Sequence, residues 1–133
     1  MTFGSLFAGI GGFDLGFARA GLECRWQCEA DPFCRAVLEK HWPHVRRYED
    51  VRTLGTDLEP VDVICGGDPC QDNSRARRVH QRSLSPSLGH EFIRVVEALR
   101  PRIVVRENPS AGRSDAPWPW WRFRAELERL DYV

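Results

Sequence analysis

The chain has 133 residues, 42% hydrophobic and 29% charged, with 19 acidic residues against 19 lysines and arginines. A chain of this size buries roughly two-thirds of its unfolded surface, which excludes global disorder and a bare interaction tail. No apolar run approaches the ~20 residues that span a bilayer, and the N-terminus lacks the basic and long apolar regions of a secretory signal, so a soluble, cytoplasmic, single-domain protein is expected. Lys40 is the only lysine, an arginine bias that a GC-rich genome produces by itself, and the balanced charge does not mark a nucleic-acid binder. Five cysteines are an odd number in a chain without an export signal, which argues against a disulfide framework.

Short apolar runs alternate with segments of helical period, the pattern of an α/β protein with a parallel sheet. Residues 2–7 read as a first strand, followed by a glycine turn (Gly9, Gly11, Gly12) and a helix through about Ala20, with Phe13, Phe17 and Ala20 at helical spacing. Gly21 is a stop signal, and residues 22–28 read as a second strand. Asp31 and Pro32 open a helix as N-cap and first helical residue, with Phe33, Val37 and Leu38 as its expected buried face. Residues 45–48 are a weak third strand and residues 61–65 a strong fourth. Residues 66–89 form the longest irregular segment, polar and rich in arginine. Leu88, Phe92, Val95, Val96 and Leu99 mark a helix that ends near Pro101, and residues 102–106 read as a fifth strand. After a Pro/Ser/Gly stretch at 109–119, Trp120, Phe123, Leu127 and Leu130 share a face of the last helix. A helix returning to a parallel sheet normally feeds a further strand, and only its beginning (Asp131, Tyr132, Val133) is present. The expected sheet is therefore C-terminally incomplete.

Several strand ends carry groups of a ligand-binding kind. In Phe7-Ala8-Gly9-Ile10-Gly11-Gly12, glycines let the backbone approach a ligand at a helix N-terminus, although tight strand-to-helix turns also use glycine for packing. The dinucleotide pattern is not met, because its third glycine falls on Asp14. Glu29, just past the second strand, is placed to accept both ribose hydroxyls of a nucleoside, and Asp50 to bond an adenine edge; each acid alone would equally serve as a cap or a solvated loop residue. The three strand ends together favour a bound nucleoside. Gly66-Gly67-Asp68-Pro69-Cys70-Gln71 puts a cysteine on a shaped turn at the same sheet edge, and Arg106-Glu107-Asn108-Pro109 puts a carboxylate beside it. A thiol and a carboxyl on neighbouring strand ends suit attack on a ring and management of its proton.

Phe-Ala-Gly-Ile-Gly-Gly, Cys-Glu-Ala-Asp, Asp-Val, Gly-Gly-x-Pro-Cys-Gln and Glu-Asn stand in one order over nearly the whole chain. Together they resemble the cytosine-C5 DNA methyltransferases. The resemblance implies a Rossmann-like S-adenosylmethionine-dependent methyltransferase fold, with a mostly parallel sheet and helices on both faces. It implies that Phe7, Ala8, Gly9, Gly11, Gly12, Glu29 and Gly67 hold S-adenosylmethionine, with Asp50 and Val51 around its adenine. Cys70 would add to C6 of a cytosine flipped out of double-stranded DNA, Glu107 would protonate or hydrogen-bond N3, Asn108 would brace the loop, and Pro69 and Gln71 would shape the thiol's surroundings. A free thiol is only a few per cent thiolate at neutral pH, so attack needs the ring activated by a proton donor, and flipping is needed because C5 and C6 are covered in the stack. Arg75, Arg77, Arg78 and Arg82 follow with no acid between Asn73 and Glu91, either to neutralise phosphates or as a solvated arginine-rich loop.

The chain departs from the family pattern at three places. Asp68 stands where phenylalanine is usual, and a carboxylate there would raise the thiol pKa unless it points away. The usual loop arginine is replaced around Ser85, and Pro109 takes the place of valine. Arg106 invites pairing with Glu107, but adjacent strand residues face opposite sides. The implied target-recognition region lies beyond residues 1–133, so a complementing polypeptide is an expected partner. The competing readings are a degenerate binding module without catalysis and a tRNA cytosine-C5 methyltransferase. Cys24, Cys28, His41 and His44 come near a zinc-finger spacing, but the histidine pair is one residue short and encloses Pro43; no metal is expected.

Overall fold

The computed structural model describes residues 1–69, 88–108 and 120–132. Its elements run β1 (Thr2–Leu6), α1 (Gly12–Arg19), β2 (Glu23–Cys28), α2 (Pro32–His41), β3 (Arg46–Tyr48), a 3₁₀ turn (Val51–Thr53), β4 (Val63–Gly66), α3 (Gly89–Leu99), β5 (Ile103–Arg106) and α4 (Trp120–Arg129). The five strands form one sheet in the order β3-β2-β1-β4-β5, with every neighbouring pair parallel. The chain thus winds outward from β1 in one direction, then returns to β1's other side and winds the opposite way. Right-handed crossovers then place α1 and α3 on opposite faces. The core agrees: Phe13 and Phe17 of α1 pack on Phe3, Val63 and Cys65, while Phe92, Ile93, Val95 and Val96 of α3 join Leu6, Ile64 and Phe123 on the other face.

Two close approaches set the sheet's geometry. A Cβ on Gly4 would lie 2.1 Å from the Trp26 ring, and one on Gly66 would lie 2.2 Å from the Leu6 carbonyl oxygen, so the strands meet only because both positions are glycine. The β1–β2 register shifts between Phe3 and Gly4, which pair with Cys24 and Trp26 and leave Arg25 as an extra residue. Beyond this bulge the side chains change face. Cys24 joins the α1-side cluster, while Trp26 and Cys28 join the α3-side core.

The expected elements are present, with three corrections to the detail. β4 starts at Val63 rather than at Val61, because Asp62 pins the start of β1 with its carboxylate, which accepts the Thr2 N–H at 2.8 Å. Phe33, expected on the buried face of α2, is 73% exposed in that helix's first turn, and Leu38 is the helix's buried residue. Trp120 opens α4 with half its surface in solvent, while Phe123 and Leu130 are buried in the core and Leu127 packs against it, partly buried.

Candidate active site

In a doubly wound sheet, ligands bind at the carboxyl ends of the strands where the winding reverses. Here that point lies between β1 and β4. On one side of it stands the glycine turn. Phe7, Gly9 and Gly11 all have positive φ, at 51°, 55° and 90°, a conformation that costs a side-chain-bearing residue energy and glycine little. The glycines divide by role. A Cβ on Gly11 would sit 2.6 Å from the Trp42 ring, so this glycine answers to packing, whereas Gly9 and Gly12 have nothing within 4 Å of that position and border open space. The Phe7 ring stacks on Phe92 at 6.4 Å, and the Ala8 N–H bonds the Cys28 carbonyl at 3.1 Å, tying the turn to the end of β2.

Glu29 locks this arrangement. One carboxylate oxygen accepts the Gly9 N–H at 2.7 Å and the other the Asp31 N–H at 2.8 Å. Each oxygen keeps a second lone pair for a further donor. Asp31 caps α2 as expected, accepting from the Phe33 and Cys34 N–H groups. Asp50 caps the 3₁₀ turn and is gripped by the Arg52 guanidinium at 2.7–3.1 Å. The Arg52 side-chain and backbone donors hold the Asp50 carboxyl down at about 2. Val51 is buried, and its carbonyl, with that of Leu54, accepts from the Arg94 guanidinium at 2.8 and 2.6 Å, so α3 supports this wall.

On the other side of the reversal stand the ends of β4 and β5. The Glu107 N–H bonds the Gly66 carbonyl at 3.0 Å, extending the ladder by one residue. The Glu107 carboxylate lies over Gly67, 3.3 Å from where a Cβ would be. Asp68 forms a two-pronged ion pair with Arg106, Nε to Oδ1 at 2.5 Å and Nη2 to Oδ2 at 2.8 Å, and each side chain is only 3% exposed. The Asn108 amide donates to the Asp68 carbonyl at 3.0 Å. The Arg106 guanidinium also covers the Phe123 ring at 4.3 Å. Arg106 therefore turns away from Glu107, as strand alternation required, and Asp68 directs its charge at Arg106. Pro69 is exposed at the site's rim. Cys70, Gln71, Arg75, Arg77, Arg78, Arg82, Ser85 and Pro109 lie outside the described residues.

Three polar groups escaped the sequence reading. Asp14 is fully buried in the first turn of α1, where it accepts from Ser5 Oγ at 3.0 Å and Gln27 Nε2 at 2.8 Å. Arg94 supports the 3₁₀ turn, and the Asp68–Arg106 pair joins two strand ends. For Asp14 the readable signal was an acid at a position that should face the sheet. For Arg106 it was a charge closing the apolar run Ile103–Val105. Cys28 and Cys65 are free thiols pushed up to about 12, chiefly by burial, and burial with the Asp14 carboxylate also raises Cys24. Cys24 and Cys28 pack on opposite faces of the sheet, which no single tetrahedral ion could bridge. Among the described residues there is no metal-ligating cluster.

A reversed parallel sheet with an open glycine turn after β1 and a carboxylate closing on it from β2 defines a Rossmann-like α/β protein of the nucleotide-binding kind. The model of the C-5 cytosine-specific DNA methylase family matches residues 1–112, and the chain belongs to that family. It is 34% identical over 119 residues to the type II methyltransferase M1.HphI of Haemophilus parahaemolyticus, a match covering 81% of this chain and 32% of that protein. It is 35% identical over 115 residues to M.AquIA of a Picosynechococcus strain, covering 78% of this chain and 46% of that one. A crystal structure described as a DNA modification methyltransferase encoded within an E. coli prophage superposes with a TM-score of 0.73 at 26% identity, covering 98% of this chain and 37% of that one. A Dnmt2 structure from Spodoptera frugiperda, with a TM-score of 0.72 at 17% identity and covering 99% of this chain and 42% of that one, shares the fold. The chain thus spans a minority of the length of these relatives.

Proposed function

We propose that this chain is the cofactor-binding and nucleophile-bearing part of a DNA cytosine-C5 methyltransferase, with residues 1–133 forming the S-adenosylmethionine-binding part of its catalytic domain ahead of a target-recognition region. One observation carries the reading. Glu107 is held over Gly67 by the β4–β5 ladder, beside the turn that leads into Pro69 and Cys70 and across the reversal from the open glycine turn.

The residues present fit S-adenosylmethionine. Gly9 and Gly12 border free space, and Glu29 retains acceptor capacity for ribose hydroxyls. Phe7, Ala8, Gly9, Gly11, Gly12, Glu29 and Gly67 would hold it, with Asp50 and Val51 beside the adenine. Since Asp50 already serves Arg52, it would reach the purine only with its remaining lone pairs. S-adenosylmethionine, when bound, supplies an electrophilic methyl group. The chain's own residues do the rest. Glu107 donates a proton to N3 of the flipped cytosine as the Cys70 thiolate adds to C6, which makes C5 nucleophilic. After transfer the C5 proton leaves to water, the C6–S bond breaks to release the Cys70 thiolate, and N3 returns its proton to Glu107, which restores the neutral ring. Asn108 holds the Asp68 carbonyl and so braces the chain just ahead of Pro69, with Gln71 assigned to the thiol's surroundings by the family pattern alone. Arg75, Arg77, Arg78 and Arg82 would neutralise phosphates of the double-stranded DNA.

The test is covalent trapping. The chain, combined with a polypeptide supplying the rest of the domain, should form an adduct with a 5-fluorocytosine duplex in the presence of S-adenosylmethionine, and Cys70→Ser should form none. Full methylation by Cys70→Ser would remove the nucleophile assignment. Cofactor binding without any adduct would make the chain a binding module. Among the described residues no helix is long and apolar enough to cross a membrane.

A further inference from the structure

We propose that Arg52 is a specificity-determining residue of the cofactor site: by holding the Asp50 carboxylate, its guanidinium sets how strongly the site prefers a purine that carries a 6-amino group. The inference rests on the reading above, in which Asp50 lies beside the adenine, and adds to it a residue that competes with the base.

The strand ends bring two acids to one place. The Glu29 N–H bonds the Tyr48 carbonyl at 3.0 Å, so the chain leaves β2 and β3 side by side. The Cys28 thiol, pushed up to about 12 chiefly by burial, is raised further by both the Glu29 and the Asp50 carboxylates, which therefore flank the same strand end. The two acids are held in different ways. Glu29 accepts from two backbone N–H groups, one on each oxygen. Asp50 accepts the Arg52 backbone N–H on Oδ1 at 3.0 Å, and the side chain of the same residue adds three contacts. Nε lies 2.9 Å from Oδ1 and 3.1 Å from Oδ2, and Nη2 lies 2.7 Å from Oδ2. These Arg52 donors take all but about one of the lone-pair sites that a carboxylate offers.

The backbone and side-chain donors of Arg52 do separate jobs. The backbone N–H caps the 3₁₀ turn and orients the carboxylate without help from the guanidinium. The side chain is 68% exposed, and its pair with Asp50 is of the weak surface kind that another donor can displace. Glu91 of α3 is a further acid that acts on the Arg52 charge, so a guanidinium that yields an Asp50 oxygen still has an anion nearby. A 6-amino group donates N–H and must take a lone pair that Arg52 holds. A purine with hydrogen at that position makes no such demand. Arg52 thereby reduces the advantage of the amino group, and its removal should restore that advantage.

The experiment is isothermal calorimetry on the assembly used for covalent trapping, with two ligands: S-adenosylhomocysteine and its 6-deamino analogue, in which purine replaces adenine. Arg52→Ala should bind S-adenosylhomocysteine roughly threefold more tightly and the analogue as before, so the ratio of the two affinities should rise roughly threefold. In an Asp50→Ala background, adding Arg52→Ala should leave the ratio where it was. Circular dichroism checks that each variant folds.

A guanidinium that only steadies the turn would weaken both ligands together when removed; a ratio that stays or falls overturns the proposal. A rise that persists in the Asp50→Ala background also overturns it, because Arg52 would then act on the base without the carboxylate. Should Asp50→Ala bind neither ligand, the ratio in Arg52→Ala decides alone. Binding of neither ligand by the parent assembly overturns the cofactor reading and the role of Arg52 with it. The expected ratios without a 5-fluorocytosine adduct overturn the methyltransferase reading and leave the role of Arg52 standing.

Discussion

At the ends of β1, β2 and β3, charged groups are settled mainly by backbone donors and near neighbours: Glu29 by Gly9 and Asp31, Asp31 by Phe33 and Cys34, Asp50 by Arg52. At the ends of β4 and β5 they are settled by other side chains, with Asp68 and Arg106 satisfying each other 38 residues apart. The first kind of site tolerates change one residue at a time, because a lost side chain exposes a backbone group that water near the surface can serve. The second kind ties two strand ends together, so a change at Asp68 or Arg106 is felt at both. The two regions are also physically joined. Phe7 of the glycine turn stacks on Phe92, Phe92 meets Phe123 edge-on at 5.4 Å, and Phe123 carries the Arg106 guanidinium.

That junction is where the division between the regions is most easily broken. Phe92→Ala removes a fully buried ring from the middle of the aromatic series and should cost about 3–5 kcal/mol in chemical denaturation. Its effect should reach both halves, weakening cofactor binding and also disturbing Cys70 alkylation; an effect confined to one half would show the regions to be independent. Next in size is Glu29→Gln. Loss of the carboxylate charge should weaken S-adenosylmethionine binding tenfold or more by calorimetry. Unchanged affinity would reduce Glu29 to a brace for Gly9 and Asp31.

The buried thiols provide a pH test that spans both regions. Cys28 and Cys65 hold their protons to about pH 12 in the folded chain, while an unfolded thiol loses its proton near pH 8.5. Above that pH the unfolded state binds fewer protons, so stability should fall as the pH rises from about 9 toward 12. Cys28→Ala and Cys65→Ala should each flatten that decline, as measured by denaturant midpoints at pH 8 and pH 10. The smallest effect expected is local to the cofactor side: Asp31→Ala removes the α2 cap and should cost about 1 kcal/mol, leaving Cys70 alkylation untouched.

Most of the elements were legible because their causes are local. The cap and proline at Asp31–Pro32, the glycine stop at Gly21 and the apolar spacing of α3 each act within a turn or two. Phe33 and Trp120 were misplaced because helical spacing gives a stripe but not how far the sheet extends beneath it; both lie at the first turn of a helix, where cover is incomplete. The order of the candidate site along the chain was visible as well. The roles of individual glycines were not: Gly11 answers to the Trp42 ring and Gly66 to the Leu6 backbone, contacts that no spacing encodes.

Read alone, the sequence yields the α/β class, the parallel strands, the family resemblance and the set of residues from which a site would be drawn, since periodicity, capping and turn chemistry depend on near neighbours. It left open whether Asp68 would disturb the thiol beside it and where Arg106 would turn. Those answers came from the strand order. The reversal sets the end of β4 beside the glycine turn after β1, the α3 crossover sets the end of β5 beside β4, and burial strengthens the Asp68–Arg106 pair that joins those ends, because the strength of an ion pair depends on the medium and distance that folding creates.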